Sequence, residues 1–219
     1  MNTLTNDNLN YLETLISIFS IKNGEVKILL EKAEDGNWKL PSNYLKNLET
    51  LEYCINNVIK DRTGLTNVKY EQAFTFSNLE RSDNTRILAT SFIGLVDNNI
   101  VESRKNEINE KNVKWFNIYE VPNMVFDHNE IVTYTINYFK KKMTDINSLK
   151  KLFSYSFTLP ELQKVYEQIL GKKLDRRNFR KKFISLDFIE DTNEFNIGCN
   201  GRPAKLYKFK DDEINIDLI

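Results

Sequence analysis

Histidine occurs once in this chain, at His128, and cysteine twice, at Cys54 and Cys199. A multi-histidine metal centre is therefore excluded, and two thiols cannot build a disulfide framework or a four-thiolate zinc site. Glycine is sparse, seven in 219 residues, and its spacing leaves no G-x-G-x-x-G or Walker-type phosphate loop. No apolar run approaches the roughly 20 residues of a membrane helix. The start, MNTLTNDNLN, lacks the basic residues of a signal peptide. These absences predict a soluble, cytoplasmic protein of a reducing compartment, with no membrane partner. What is present is a hydrophobic content of 41% with 12% aromatics, enough to bury a core in one large domain or two small ones.

The charge total is balanced, 31 basic against 31 acidic residues, but its distribution is uneven. Between Lys164 and Lys182 the chain carries Lys164, Lys172, Lys173, Arg176, Arg177, Arg180, Lys181 and Lys182 against Glu167 and Asp175 only. Arg202, Lys205, Lys208 and Lys210 follow without an acid between Asn200 and Lys210. Most charge runs are solvated helix faces, so the meaning of this one depends on its local geometry.

Periodicity supplies that geometry. Residues 12–31 read as two strands around Asn23-Gly24, a hairpin signal. Leu51, Ile55, Val58 and Ile59 have helical spacing, stopped at Thr63-Gly64. Residues 68–79, 86–97 and 113–121 read as strands, and 128–143 as an amphipathic helix. A short helix is expected over 148–154. Thr158-Leu159-Pro160-Glu161 is then a capped helix start, and that helix stops at Gly171. Asp175 caps the next helix, with an apolar stripe of Phe179, Phe183, Ile184 and Leu186. A turn at 191–193 and a basic hairpin through Gly201-Arg202-Pro203 complete the series. The expected fold class is α+β: a mixed sheet with helices over 1–143, then a winged helix-turn-helix over 144–219.

Arg176, Arg177, Asn178, Arg180 and Lys181 lie opposite the phenylalanines, near the helix N-terminus that meets base edges in such domains. Arginine pairs bidentately with guanine, asparagine with adenine, and lysine neutralises phosphate. With Thr158, Lys172, Lys173, Arg202 and Lys205 they form the expected contact set for a double-stranded DNA operator. An RNA-binding face or a merely solvated one is the competing reading.

FTLPELQKVYEQILGKKLDRRNFRKKF followed by GRPAKLYKF closely resembles the C-terminal DNA-binding domain of the Nudix-related transcriptional regulators. WKLP, the helix ending TGL, YEQAFTFSNLERSDNTRILATSFIGLV and FDHNEIV resemble their N-terminal Nudix-like part, in the same order. The resemblance implies a homodimeric transcription factor whose Nudix-like part senses an effector, ADP-ribose in one branch and L-arabinose in another. Repression is the commoner mode in that family.

Active Nudix hydrolases carry a box of glutamates that holds Mg²⁺. Anchoring the box on Gly64-Leu65 puts Asn43 at its first glycine, Glu49 at its first glutamate and Asn57 at its arginine. Val58 then stands at the next glutamate, and Asp61 and Arg62 at the final pair. An apolar side chain and a cation replace two ligands of a hard, oxygen-seeking ion. No metal, cofactor or catalytic residue is expected, and Mg²⁺-dependent hydrolysis of ADP-ribose is the rival activity. For the effector, Arg81 and Arg86 are candidate anion clamps. Glu49, Tyr44, Phe76, Asp127 and His128 complete the candidate set, and Trp38 and Phe74 are further stacking candidates. The effector stays open between ADP-ribose and a pentose sugar.

Overall fold

In the computed structural model, residues 10–82, 85–103, 108, 112–150, 152–153, 156–196 and 203–210 are described. The expected first hairpin pairs β1 (Tyr11–Lys22) with β2 (Glu25–Lys32), closing at Lys22↔Glu25. Asn23 and Gly24 both take positive φ, 55° and 74°, as the tight turn that matches strand twist requires. Short strands β3 (Trp38–Lys39) and β4 (Ser42–Tyr44), neither anticipated, pair with β2 and β1.

Thr50 caps α1 (Leu51–Asn57), accepting the Tyr53 N–H at 3.2 Å. The chain continues through π-helical turns, Val58–Thr63, to a left-handed stop at Gly64. β5 (Lys69–Phe76) and β6 (Ile87–Leu95) are antiparallel to each other, and β6 runs parallel to β1 from Tyr11↔Ile87 to Phe19↔Leu95. A short helix α2 (Asn98–Ser103), which the sequence reading missed, starts where Asp97 accepts the Asn99 N–H at 2.6 Å. β7 (Val113–Asn117) joins the far side of β2 and ends four residues earlier than expected, where Asn117 accepts the Tyr119 N–H.

The central strand β1 is buried on both faces, and its alternation builds two cores. Leu15, Phe19 and Ile21 face α3 (His128–Lys142), where Phe139 stacks on Phe19 at 4.4 Å and the Ser17 and Thr135 hydroxyls meet at 2.7 Å. Ile16 and Ile18 face α1, against Ile55, Val58 and Ile59. The sheet is thus sandwiched between helices, with β1 and β6 as its buried parallel pair.

The remaining chain runs α4 (Ile146–Lys150), β8 (Phe157–Thr158), α5 (Leu159–Leu170), α6 (Arg176–Ser185), β9 (Ile189–Asn196) and β10 (Ala204–Phe209), with β10 between β8 and β9. This is a winged helix around an aromatic core of Phe153, Phe157, Tyr166, Phe179, Phe183, Phe188 and Phe209. The expected helix over 148–154 is shorter and earlier, at α4. The turn expected at 191–193 is a bulge inside β9: Asn193 takes φ 60°, and the β9–β10 register slips between Lys205 and Tyr207. Ile184 leaves its expected apolar stripe and is 47% exposed.

The winged helix rests on the sheet part through α5, and the apolar core runs continuously from β1 through Phe139, Met143 and Ile146 to α5. Gly24 fits against α5 so closely that a Cβ there would stand 3.0 Å from the Lys164 side chain and 3.1 Å from the Glu161 carbonyl. Nearby, Gln168 accepts the Val26 N–H at 2.7 Å. No helix among the described residues is long and apolar enough to cross a membrane.

Candidate effector cleft and nucleic-acid interface

Arg81 was expected as an anion clamp for the effector, its guanidinium open to a ligand. Instead it is buried, at the end of a single 3₁₀ turn (Leu79–Arg81), and its guanidinium is already engaged. Nε and Nη2 donate to the two Asp127 oxygens at 2.7 and 2.9 Å, and Nη2 also donates to Glu13 at 2.9 Å. Its Nη1 is buried and has no hydrogen-bond partner among the described residues. The other Glu13 oxygen faces His128 Nε2 at 3.7 Å, beyond hydrogen-bonding range, while His128 Nδ1 accepts the Leu40 N–H at 3.0 Å. Arg81, Asp127 and His128 therefore come together as expected, but around a carboxylate the sequence reading missed. Glu13 stands alone in the apolar run LETLISIFSI, and an unexplained carboxylate in a buried strand is the signal that could have found it.

Burial alone would raise the Glu13 carboxyl. The facing His128, then Arg81 and the Ser42 hydroxyl, outweigh burial and lower it from 4.5 to about 2. Its folded value lies below its unfolded one, so its contribution is complete above about 4.5 and disappears as pH falls toward 2. That contribution is on the order of 3 kcal/mol. Acid unfolding of the wild type should steepen across that window, and Glu13→Gln should flatten it. An unchanged acid limb in the variant would refute the assignment.

Arg81 and Asp127 open onto a cleft of about 540 Å³ lined also by Asn78, Glu80, Ser82, Phe126 and Glu130. Phe126 is exposed and holds a positive φ of 50°, placing an aromatic face at the rim. Tyr44 pairs with Glu13 across β1 and β4, and its hydroxyl is raised by burial and by the Glu13 charge. Three expected effector residues lie elsewhere or are occupied. Arg86 spends its guanidinium on the Asn78 and Ser77 carbonyls, at 3.1 and 2.8 Å. Glu49 accepts the Lys46 N–H in the loop before α1. Phe76 is buried beside Phe74 and Tyr134. Trp38 packs edge-on against Phe116.

At the box positions Val58 is buried in the α1 core, while Asp61 is exposed. Arg62 lies 3.5 Å from the buried Glu31, which Lys39 approaches at 3.7 Å. Burial pushes the Glu31 carboxyl up, against the pull of those two cations. Among the described residues, a cation paired to the buried Glu31, with Val58 facing the core, does not fit a Mg²⁺ centre. Among the described residues no group of three or more His, Cys, Asp or Glu side chains is placed to hold a metal.

The nucleic-acid side of the molecule is built by caps. Thr158 accepts the Glu161 N–H at 3.3 Å to start α5, Gly171 ends it at φ 65°, and Asp175 accepts the Asn178 N–H at 2.8 Å to start α6. Thr158, expected as a DNA contact, is largely buried, and its side-chain oxygen serves as the cap of α5. Phe179 and Phe183 anchor α6, leaving Arg176, Arg177, Asn178, Arg180 and Lys181 exposed. None of these four cations has an acidic partner among the described residues. In the α5–α6 turn Lys172 is exposed and Lys173 pairs with Glu167 at 2.9 Å. The wing lysines are paired across their own hairpin: Lys205 with Asp191 at 2.5 Å, Lys208 with Glu190 at 2.8 Å and Lys210 with Asp187 at 2.8 Å. Lys205 was expected as a DNA contact, and in this structure its charge is paired with Asp191 of β9. Arg202 and Cys199 lie outside the described residues, and Cys54 is a buried free thiol.

Comparison with known proteins agrees with this division of labour. Residues 150–209 match the NrtR DNA-binding winged helix domain. The chain is 25% identical over 202 residues to the ADPR responsive transcriptional repressor NtrR of Acinetobacter baylyi, covering 89% of this chain and 80% of that one. It superposes on Shewanella oneidensis NrtR complexed with a 27mer DNA with a TM-score of 0.72 at 26% identity, over 91% of this chain and 93% of that one. A MutT/nudix family protein from Enterococcus faecalis shares the fold, with a TM-score of 0.68 at 19% identity, over 95% and 90% of the two chains. The chain thus joins a sheet of Nudix-like fold to a winged helix that matches the NrtR DNA-binding domain, and it shares its overall fold with Shewanella oneidensis NrtR.

Proposed function

We propose that this protein is a metabolite-responsive, DNA-binding transcriptional repressor whose Nudix-fold part senses an effector and does not hydrolyse it. The observation that carries the reading is the exposed, unpaired basic face of α6, held on a capped helix-turn-helix. Arg176, Arg177, Asn178, Arg180 and Lys181 enter the major groove, with Lys172 and Lys173 on the phosphates. The DNA-bound NrtR relative supports that role. The effector occupies the cleft beside Arg81, Asp127 and His128, and ADP-ribose is the first candidate because the Acinetobacter relative is named for its response to it. A pentose sugar remains the second candidate, since the carboxylates of the cleft pair well with hydroxyls. The functional boundary falls at 143/144, the working state is a cytoplasmic homodimer, and the operator is a duplex of two half-sites.

Coupling follows from connectivity. Asp127 stands at the start of α3, and α3 packs against α5. A ligand that competes for Asp127 or satisfies Arg81 Nη1 changes how α3 is held, and with it the pose of the helix-turn-helix. It shifts DNA affinity only as far as it prefers one pose over the other.

Two assays test the proposal together. Full-length protein should bind the duplex upstream of its own gene more tightly than random DNA, with affinity falling steeply as salt rises. With Mg²⁺ and ADP-ribose it should show no turnover above background. Turnover without duplex binding would replace the regulator by a hydrolase.

A further inference from the structure

Ile184 is the residue that α6 turns outward against expectation. Phe179 and Phe183 keep the helix anchored at 7% and 3% exposure, whereas Ile184 is 47% exposed. It shares a shallow groove on the open face of α6 with Arg177, Arg180, Lys181 and Ser185. Ile184 is four residues beyond Arg180 and seven beyond Arg177, so the three lie on one line of the helix. An aliphatic side chain sitting among unpaired cations does nothing for the core, which closes without it.

A second copy of this chain is a poor occupant of that groove, because it would set the same cations against each other. A duplex brings the opposite charge, and in its major groove the one apolar group on a base edge is the thymine C5-methyl. We propose that Ile184 is a specificity-determining residue that packs against the C5-methyl of one thymine in each half-site. Seven helical residues span about 10 Å, or roughly three base-pair steps. That thymine therefore lies within about three base pairs of the base met by Arg177. The inference rests on the proposed DNA-binding function and adds to it the identity of one base.

The test removes the methyl and nothing else. Each thymine of the bound duplex is replaced in turn by deoxyuridine, and the affinity of the full-length protein is measured. One position per half-site should weaken wild-type binding by about fourfold, the value of one buried methyl group. Ile184→Ala should bind the unmodified duplex more weakly by about that factor or more, and should no longer respond to deoxyuridine at that position. Ile184→Val should keep most of the response. Because the side chain is exposed, all three proteins should melt at the same temperature, which separates contact from folding. An Ile184→Ala protein with the full wild-type deoxyuridine pattern would overturn the inference and leave DNA binding standing. Failure of the wild type to bind any duplex would overturn both.

Discussion

Replacing Arg81 by alanine should lower stability by about 3–5 kcal/mol, the usual consequence of removing one partner from a buried ion pair. For a chain of this size that is a fall in melting temperature of roughly 6–20 °C. The cause is the pair of carboxylates left behind. Glu13 and Asp127 both accept from the Arg81 guanidinium, sharing its Nη2, and Glu13 is buried. Arg81→Lys should recover little, because an ammonium cannot serve the two Asp127 oxygens and Glu13 together. Adding Glu13→Gln to Arg81→Ala should return part of the loss by removing one orphaned charge. Calorimetry of the four proteins reads this directly, and an Arg81→Ala protein as stable as the wild type would show that the network has no structural role.

The second large effect concerns DNA. Arg177→Ala and Arg180→Ala should each weaken operator binding by about 1–3 kcal/mol if they contact bases, with loss of discrimination at the bases they read. The pair together should approach the sum only if their contacts are independent. Lys205→Ala should do much less, since Lys205 already pairs with Asp191 across the wing. Equal losses at all three positions would mean a diffuse electrostatic surface in place of a recognition helix. Both arginines are exposed, so neither change should alter melting.

What could be read in the sequence was what local chemistry decides. Thr158, Pro160 and Gly171 define α5 because caps and stops act within a turn or two, and Asn23-Gly24 defines the first hairpin for the same reason. Ile184 went wrong because an apolar stripe can be a little over 100° wide, enough to take in consecutive positions such as Phe183 and Ile184, and only the tilt of α6 on its aromatic core decides which is covered. Glu13 went unread because its partners, Arg81 and His128, arrive from distant segments through the parallel pairing of β1 with β6 and the docking of α3. Arg81 was read as a clamp for a ligand, whereas the fold supplies its guanidinium with two carboxylates of the chain itself. The wing lysines were counted as free charge because their partners lie across a bulged hairpin, whose register a linear sequence does not reveal.

The most direct test of the account is the affinity of the full-length protein for the duplex upstream of its own gene, at fixed salt, with and without ADP-ribose and with and without a pentose sugar. A duplex-specific complex is expected, whose affinity one of these ligands changes by about fivefold or more, the lower end of ordinary allosteric coupling. The ligand should be recovered intact. A protein that ignores duplex DNA while cleaving ADP-ribose with Mg²⁺ would contradict the account.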